Sequence, residues 1–268
     1  MRGSVFSGIF YPAEINELRE LVKSYFLQTP PFKKNTKAII APHAGYDFCG
    51  KQLAEAYNSL RNTYFETAVI LGPSHQHYFK GYSIYNGAGY QTPFGDIKIN
   101  QDYVRKLRNK NKNINYREKA HRNEHSIEVQ LPFLFKINPL VNIVPIITGD
   151  NEMDSLKQIA EDLLCVIDRE KTVIITSTDF SHFFSSKKAA VMDMKAVNLI
   201  LKQDTQLLYE KQQTKEIQLC GIDATIILLE ITKLMKLSNV KHFSYTHSGE
   251  VTGQENSVVG YNSLCVYE

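Results

Sequence analysis

Several hallmarks of small, crosslinked or membrane-spanning proteins are missing from this sequence of 268 residues. Its four cysteines are Cys49, Cys165, Cys220 and Cys265. They include no C-x-x-C pair, which excludes zinc-ribbon and thioredoxin-type sites. No uninterrupted apolar stretch approaches the roughly 20 residues that a membrane-spanning helix requires. Pro12 and Glu14 interrupt the apolar N-terminal run before it could serve as a secretory signal. We therefore expect a cytoplasmic protein without a membrane partner.

Charge and motif content exclude further classes of protein. The 31 Lys and Arg residues against 28 Asp and Glu leave a net charge of +3, which is too small for nucleic-acid binding without a clustered basic face. The basic run from Lys106 to Lys112 is diluted by asparagine, so we expect no nucleic-acid partner. The motifs H-E-x-x-H, G-x-S-x-G, Walker A and a strand-linked G-x-G-x-x-G are absent. Their absence argues against zinc proteases, α/β-hydrolases, P-loop NTPases and Rossmann enzymes.

Alternating strand and helix patterns predict an α/β fold, a three-layer α/β/α sandwich around a mixed, mostly parallel sheet. Apolar spacing predicts helices over 13–27, 50–60, 154–167 and about 220–237. Short apolar runs predict strands over 37–43, 67–75, 142–150 and 172–182, with more near 240–247 and 257–267. The turn-rich stretch 81–99 predicts an extended hairpin. No repeat or linker divides the chain, so we expect one domain over 1–268.

Each of the four strongest predicted strands is followed by a titratable or metal-binding side chain. These side chains are His43, His75, Asp150, and Asp179 with His182. Ligands of open α/β sheets bind beyond the carboxyl ends of the strands, so these groups converge if the strands are parallel neighbours. His43 and His75 each follow a rigid X-Pro turn, which favours a functional role for both imidazoles. We interpret the other loop histidines as surface or turn-capping residues, namely His77, His121 and His242.

Cys220 stands at the start of a predicted helix, where the helix dipole stabilises a thiolate. Two imidazoles and one thiolate would suit copper, zinc or iron and leave coordination positions open. Asp223, three residues after Cys220, offers a carboxylate as an alternative metal ligand. We expect it instead to be structural or to contact a ligand without binding the metal. By contrast, Cys165 and Cys265 have apolar neighbours and are expected in the core.

Two further residue groups are ambiguous from the sequence. Asp179 and His182 are spaced to face one another across a turn, so Asp179 could orient His182 as a proton shuttle or could cap a helix. His125 in RNEHSIEVQLPF is equally compatible with a helix cap and with a place in the pocket.

The sequence resembles the Memo family, the homologues of the class III extradiol, non-haem iron dioxygenases. The matching segments run in order along the chain: GIFYPA, APHAGYDFCG, LGPSH, YQTPFGDIKI, NEHSIEVQLPF, TSTDFSH, LCGIDA and SVVGYNSL. The resemblance implies an α/β/α sandwich with metal ligands at His43, His75 and Cys220. It also implies that Asp179 and His182 line the pocket, with His125 near it. A cysteine replaces the carboxylate that the dioxygenases use, so ring cleavage does not follow from the resemblance.

Three functional hypotheses follow. The first is a metal-binding, oxidoreductase-like protein that holds iron or copper, with zinc as a possible substitute, and that uses His182, Asp179 and His125 in catalysis. The second is a non-catalytic module that binds a peptide or protein in a remnant pocket. For prokaryotic members the resemblance implies partners from a radical-SAM pathway. The third is a cysteine hydrolase with Cys220, His182 and Asp179 as a triad-like set.

Overall fold

The fold is built on one mixed sheet whose central strands are parallel neighbours. The computed structural model describes residues 1–268. Its strands are β1 (Thr36–Ala41), β2 (Thr67–Pro73), β3 (Tyr82–Ile84), β4 (Gly89–Thr92), β5 (Gly95–Ile99), β6 (Ile114–Asn115), β7 (Asn142–Thr148), β8 (Thr172–Ser177), β9 (His182–Phe184), β10 (Asn239–His247) and β11 (Val258–Tyr267). Eight of them run in the order β10-β11-β1-β8-β2-β7-β3-β6, while β5 pairs with β4 and β7, and β9 pairs with β11. Because β1, β8, β2 and β7 are parallel neighbours, their carboxyl ends share one edge.

The α/β class and the mixed sheet predicted from the sequence are confirmed. The parallel arrangement holds for the central strands, whereas β11 pairs antiparallel with β1, β9 and β10. The stretch 81–99 is a hairpin only in part. Strands β4 and β5 form the antiparallel hairpin, while β3 joins the main sheet beside β7.

Helices cover both faces of the sheet. They are α1 (Ile15–Leu27), α2 (Tyr46–Asn58), α3 (Gln101–Lys110), α4 (Glu118–Arg122), α5 (His125–Glu128), α6 (Leu131–Ile137), α7 (Met153–Val166), α8 (Ser186–Leu201), α9 (Thr205–Gln213), α10 (Ile222–Leu234) and α11 (Gly249–Thr252). Helix α2 packs on β1 and contacts α1 and α6. Helix α10 packs on β1, β2 and β8 and contacts α7 and α9. None of the helices combines the length and apolarity that crossing a bilayer requires.

Burial explains why the central strands are continuous apolar runs. Every residue of β1, β2 and β8 is buried, as expected for strands covered on both faces. Cys265 lies in this core, as predicted. Cys165 does not. It lies on α7 about 200° around the helix from the buried Leu163, which turns it to solvent despite its apolar neighbours.

Candidate metal centre

Three side chains from distant parts of the sequence meet at the carboxyl edge of the sheet. His43 follows β1, His75 follows β2, and Cys220 precedes α10. One ligand atom from each lies within 4.8 Å of the other two. The parallel order β1-β8-β2 accounts for the approach of the two imidazoles, because it places the ends of β1 and β2 on either side of β8.

His43 is held by one ring nitrogen and presents the other to the centre. Its Nδ1 lies 2.9 Å from the Oγ of Ser177. That hydroxyl donates its proton to the carbonyl of Ser126 at 2.6 Å, so it accepts from the Nδ1–H of His43. The Nε2 of His43 is therefore the nitrogen left for a metal, and it lies 3.2 Å from the Sγ of Cys220.

His75 has the same arrangement, with a carboxylate as its partner. Glu124 accepts from the backbone N–H of His75 at 2.6 Å and from its Nδ1 at 2.9 Å. Burial raises the pKa of Glu124, but the two hydrogen bonds from His75 and the charge of its imidazole together outweigh burial and lower the pKa to about 2. Burial likewise lowers the pKa of His75, and contacts with Cys220 and Glu124 outweigh it and raise the value to about 10. A carboxylate that orients an imidazole in this way is typical of metal ligands.

Cys220 is poised as a thiolate, and its Sγ takes no hydrogen bond from the first turn of α10. Gly221 is the N-cap of α10, and the Sγ of Cys220 accepts instead from the backbone N–H of Asp179 at 3.2 Å. Burial raises the pKa of the thiol, but the imidazoles of His43 and His75 outweigh burial and lower it to about 6. The metal-free centre therefore holds a thiolate beside a protonated His75 at neutral pH.

Asp179 and His182 do not form the pair that their spacing suggests. The Oδ1 of Asp179 accepts from the backbone N–H of His43 at 2.8 Å, and its Oδ2 lies 4.0 Å from the Nε2 of His43. His182 begins β9, pairs with Val259 in β11, and shares no hydrogen bond or ion pair with Asp179. Burial raises the pKa of Asp179 to about 6 and lowers the pKa of His182.

His125 lies in the pocket, and its neighbour Glu124 is the cap of α5. The Glu124 side chain accepts from the N–H of Ser126 at the helix start. The ring of His125 stacks on His75 with a centroid separation of 4.5 Å and meets His43 edge-on at 5.1 Å. Burial, assisted by His43, lowers the pKa of His125 to about 3, so its imidazole is neutral. Both alternatives from the sequence are realised by adjacent residues.

The remaining histidines lie apart from the three ligand atoms, but one of them is not at the surface. His121 is only 2% exposed. Its Nε2 lies 3.0 Å from the Oγ of Ser83 and its Nδ1 lies 3.3 Å from the hydroxyl of Tyr90. His121 therefore belongs to a buried polar cluster, because α4 turns it inward beneath the hairpin. His242 contacts Asn262 at 2.9 Å, and His77 stacks on Phe79.

A cleft of about 420 Å³ opens beside the centre, with Cys220 in its wall. Asp150, the residue predicted after β7, lies in this cleft and accepts a hydrogen bond from Tyr78. Asp223 also lines it and accepts from Asn151 at 3.0 Å, so it is not among the three converging ligands. Burial raises the pKa of Asp223 to about 7. The cleft provides room for a small molecule next to the thiolate.

Comparison with known proteins identifies the family of the chain. The family model described as Memo-like protein matches residues 2–265. A MEMO1 family protein of Methanococcus maripaludis is 33% identical over 282 residues, covering 99% of each chain. A MEMO1 family protein of Thermoplasma volcanium is 32% identical over 269 residues, covering 98% of this chain and 97% of the relative. One from Aquifex aeolicus is 32% identical over 262 residues, covering 97% of both. The chain therefore belongs to the Memo-like protein family.

Proposed function

We propose that the chain is a metal-binding protein whose centre, formed by His43, His75 and Cys220, holds iron or copper for redox chemistry. One observation carries the proposal: the three ligand atoms lie within 4.8 Å of one another. Metal–nitrogen and metal–sulfur bonds of about 2.0–2.3 Å let a single ion reach all three. A mixed imidazole and thiolate set suits copper, iron or zinc rather than magnesium or calcium.

The residues that hydrogen-bond the candidate ligands also support metal binding. Ser177 and Glu124 each engage the Nδ1 of one imidazole, which leaves both Nε2 atoms free to coordinate. The low pKa of Cys220 supplies the thiolate that a metal requires near neutral pH. Metal binding would release the proton that the metal-free centre keeps on His75.

The chain's own residues can bind a small molecule and hold protons beside the centre. Three protein ligands leave coordination positions open, so a bound iron or copper ion would supply one-electron redox chemistry next to the cleft. Asp179, with a pKa of about 6, can hold or release a proton at a carboxylate oxygen near neutral pH. His125 is neutral and packed against both ligand imidazoles, so it shields that side of the centre from solvent.

Metal titration tests the proposal directly. The protein is purified without a polyhistidine tag, stripped with a chelator, and loaded with copper or, without oxygen, with ferrous iron. We expect one ion per chain and a thiolate-to-metal absorption band. Cys220→Ser should abolish the band, and His43→Ala should abolish stoichiometric binding. Cys165→Ser removes an exposed cysteine far from the ligands and should bind as the wild type does. A wild-type protein that retains no metal would overturn the proposal.

A second candidate function, a cysteine nucleophile, is favoured by the contact between Cys220 and His43. The Sγ to Nε2 distance of 3.2 Å and the lowered thiol pKa are typical of a Cys–His pair. His43 takes the place that the sequence suggested for His182. Iodoacetamide should then alkylate Cys220 of the metal-free protein faster than Cys165 at pH 7. Equal rates for the two cysteines would discard this candidate.

A further inference from the structure

The guanidinium of Arg2 is buried and bound to the segment that carries Glu124. The Arg2 side chain is only 6% exposed. Its Nε donates to the carbonyl of His121 at 2.6 Å, and its Nη2 donates to the carbonyl of Glu124 at 2.7 Å. Its Nη1 donates to the carboxylate of Glu128 at 2.6 Å. One side chain thus fixes three points along residues 121–128.

Glu128 binds the N-terminal segment in return. Its side chain is fully buried and accepts from the backbone N–H of Val5 at 3.1 Å and of Phe6 at 2.7 Å. It also accepts from the hydroxyl of Tyr11 at 2.8 Å. Arg2 and Glu128 therefore fasten residues 2–11 to α5 through a fully hydrogen-bonded ion pair.

Glu124 lies between this ion pair and the candidate metal centre. Arg2 holds its backbone carbonyl, while its carboxylate accepts from the N–H and the Nδ1 of His75 and from the N–H of Ser126. The N-terminal segment also packs on the centre directly, since the ring of Phe10 lies 4.7 Å from that of His125. Glu124 thus links Arg2 to His75, with Arg2 bound at its backbone carbonyl and His75 at its carboxylate.

We propose that Arg2, paired with Glu128, is a positioning residue of the centre: it fixes Glu124 so that His75 presents its Nε2 to the same point as His43 and Cys220. The inference rests on the proposed metal-binding function. A buried ion pair adds little stability over apolar residues of equal volume, so packing alone does not account for it. The planar fork of arginine, by contrast, holds several acceptors in fixed relative positions, which lysine cannot do.

Arg2→Lys, with Arg117→Lys as its matched control, tests this role. Arg117 also donates to two backbone carbonyls, of Tyr82 and Lys80, and lies over an aromatic ring as Arg2 does. It makes no contact with Glu124. We expect Arg2→Lys to weaken copper binding about tenfold, the lower end of the effect of losing a partner behind a metal ligand. Arg117→Lys should leave copper affinity unchanged.

A second readout needs no metal. In the stripped wild type, the Nδ1–H proton of His75 should give a downfield, slowly exchanging NMR signal, because Glu124 accepts it. Arg2→Lys should speed its exchange with water, and Arg117→Lys should not. If Arg2→Lys does not fold, Glu128→Gln gives the same two measurements, since it keeps the side-chain volume and removes the charge that pairs with Arg2.

The outcomes separate the two proposals. A wild type that binds neither copper nor ferrous iron refutes the metal-binding function, while the NMR signal still decides the role of Arg2. Copper binding that is unchanged in Arg2→Lys, together with an unchanged His75 signal, overturns the positioning role and leaves the metal centre intact. An equal change in the Arg117→Lys control would also overturn it, because the effect would then not run through Glu124.

Discussion

His121 should make the protein less stable in mild acid. Burial and the nearby charge of Arg2 lower the pKa of His121 to about 3, whereas an imidazole in the unfolded chain titrates near 6.5. At a pH between these two pKa values, the imidazole is protonated in the unfolded chain but not in the folded protein, so the free energy of unfolding falls as pH falls. Each pH unit in this window costs about 1.4 kcal/mol. Going from pH 7 to pH 5 should therefore cost about 2 kcal/mol through this residue alone.

Urea denaturation at pH 7 and at pH 5 measures this contribution. His121→Gln removes the titrating ring, so its loss of unfolding free energy between the two pH values should be smaller than the wild-type loss by about 2 kcal/mol. Ser83→Ala deletes a partner of the ring but keeps the ring itself, and it should retain the wild-type pH dependence. Equal acid losses in wild type and His121→Gln would refute the reasoning.

Three further predictions concern stability away from the candidate ligands. Asp193 is buried, and burial raises its pKa to about 6, so Asp193→Asn should increase the free energy of unfolding at pH 7 by up to about 3 kcal/mol and leave it nearly unchanged at pH 4, as measured by urea denaturation. Gly260→Ala would place a Cβ 1.8 Å from the Oδ2 of Asp193 and should lower the free energy of unfolding by about 1–3 kcal/mol or more. The Cβ of Gly253→Ala meets no atom within 4 Å, so this variant should lose only about 1 kcal/mol, because of the positive φ at that position. Thermal melts in which Gly253→Ala is the less stable variant would contradict this. Phe183 has a φ of 66° and is 76% exposed, so Phe183→Gly should stabilise the protein by about 1 kcal/mol. A lower melting temperature for this variant would contradict the prediction.

The converging ligands could be predicted because they follow strands that are easy to recognise. His43 and His75 each stand just beyond a continuous apolar run, and parallel pairing brings such positions to one edge of the sheet. Cys220 could be singled out by its place before a helix, although the contact that holds its sulfur is with Asp179. Strand pattern and chain order therefore contain most of the information on the three ligands.

The supporting groups could not be predicted in the same way. Glu124 stands beside His125 in the sequence, and its position there suggests only a cap; its contact with His75 depends on how α5 packs against β2. Arg2 is a single charge near the start of the chain, and nothing local shows that it is buried against Glu128. Polar side chains in short segments carry no periodic signal, so tertiary packing decides their partners. The local indication that Glu124 and Glu128 are buried is their position in EHSIE, directly before an apolar run.

If the centre binds a metal as proposed, the wide spacing of its three ligands along the chain would link metal binding to the order of synthesis. Two rings come from residues 43 and 75, but the sulfur comes from residue 220, and Ser177 lies between them. A nascent chain synthesised only as far as the end of β8 would contain both imidazoles but not yet the thiolate of Cys220. Because closing such long loops is among the late events of folding, the centre would reach full affinity only once the C-terminal third has docked. Only chains that have completed folding would then bind copper or iron tightly, and incomplete chains would not hold a redox-active ion.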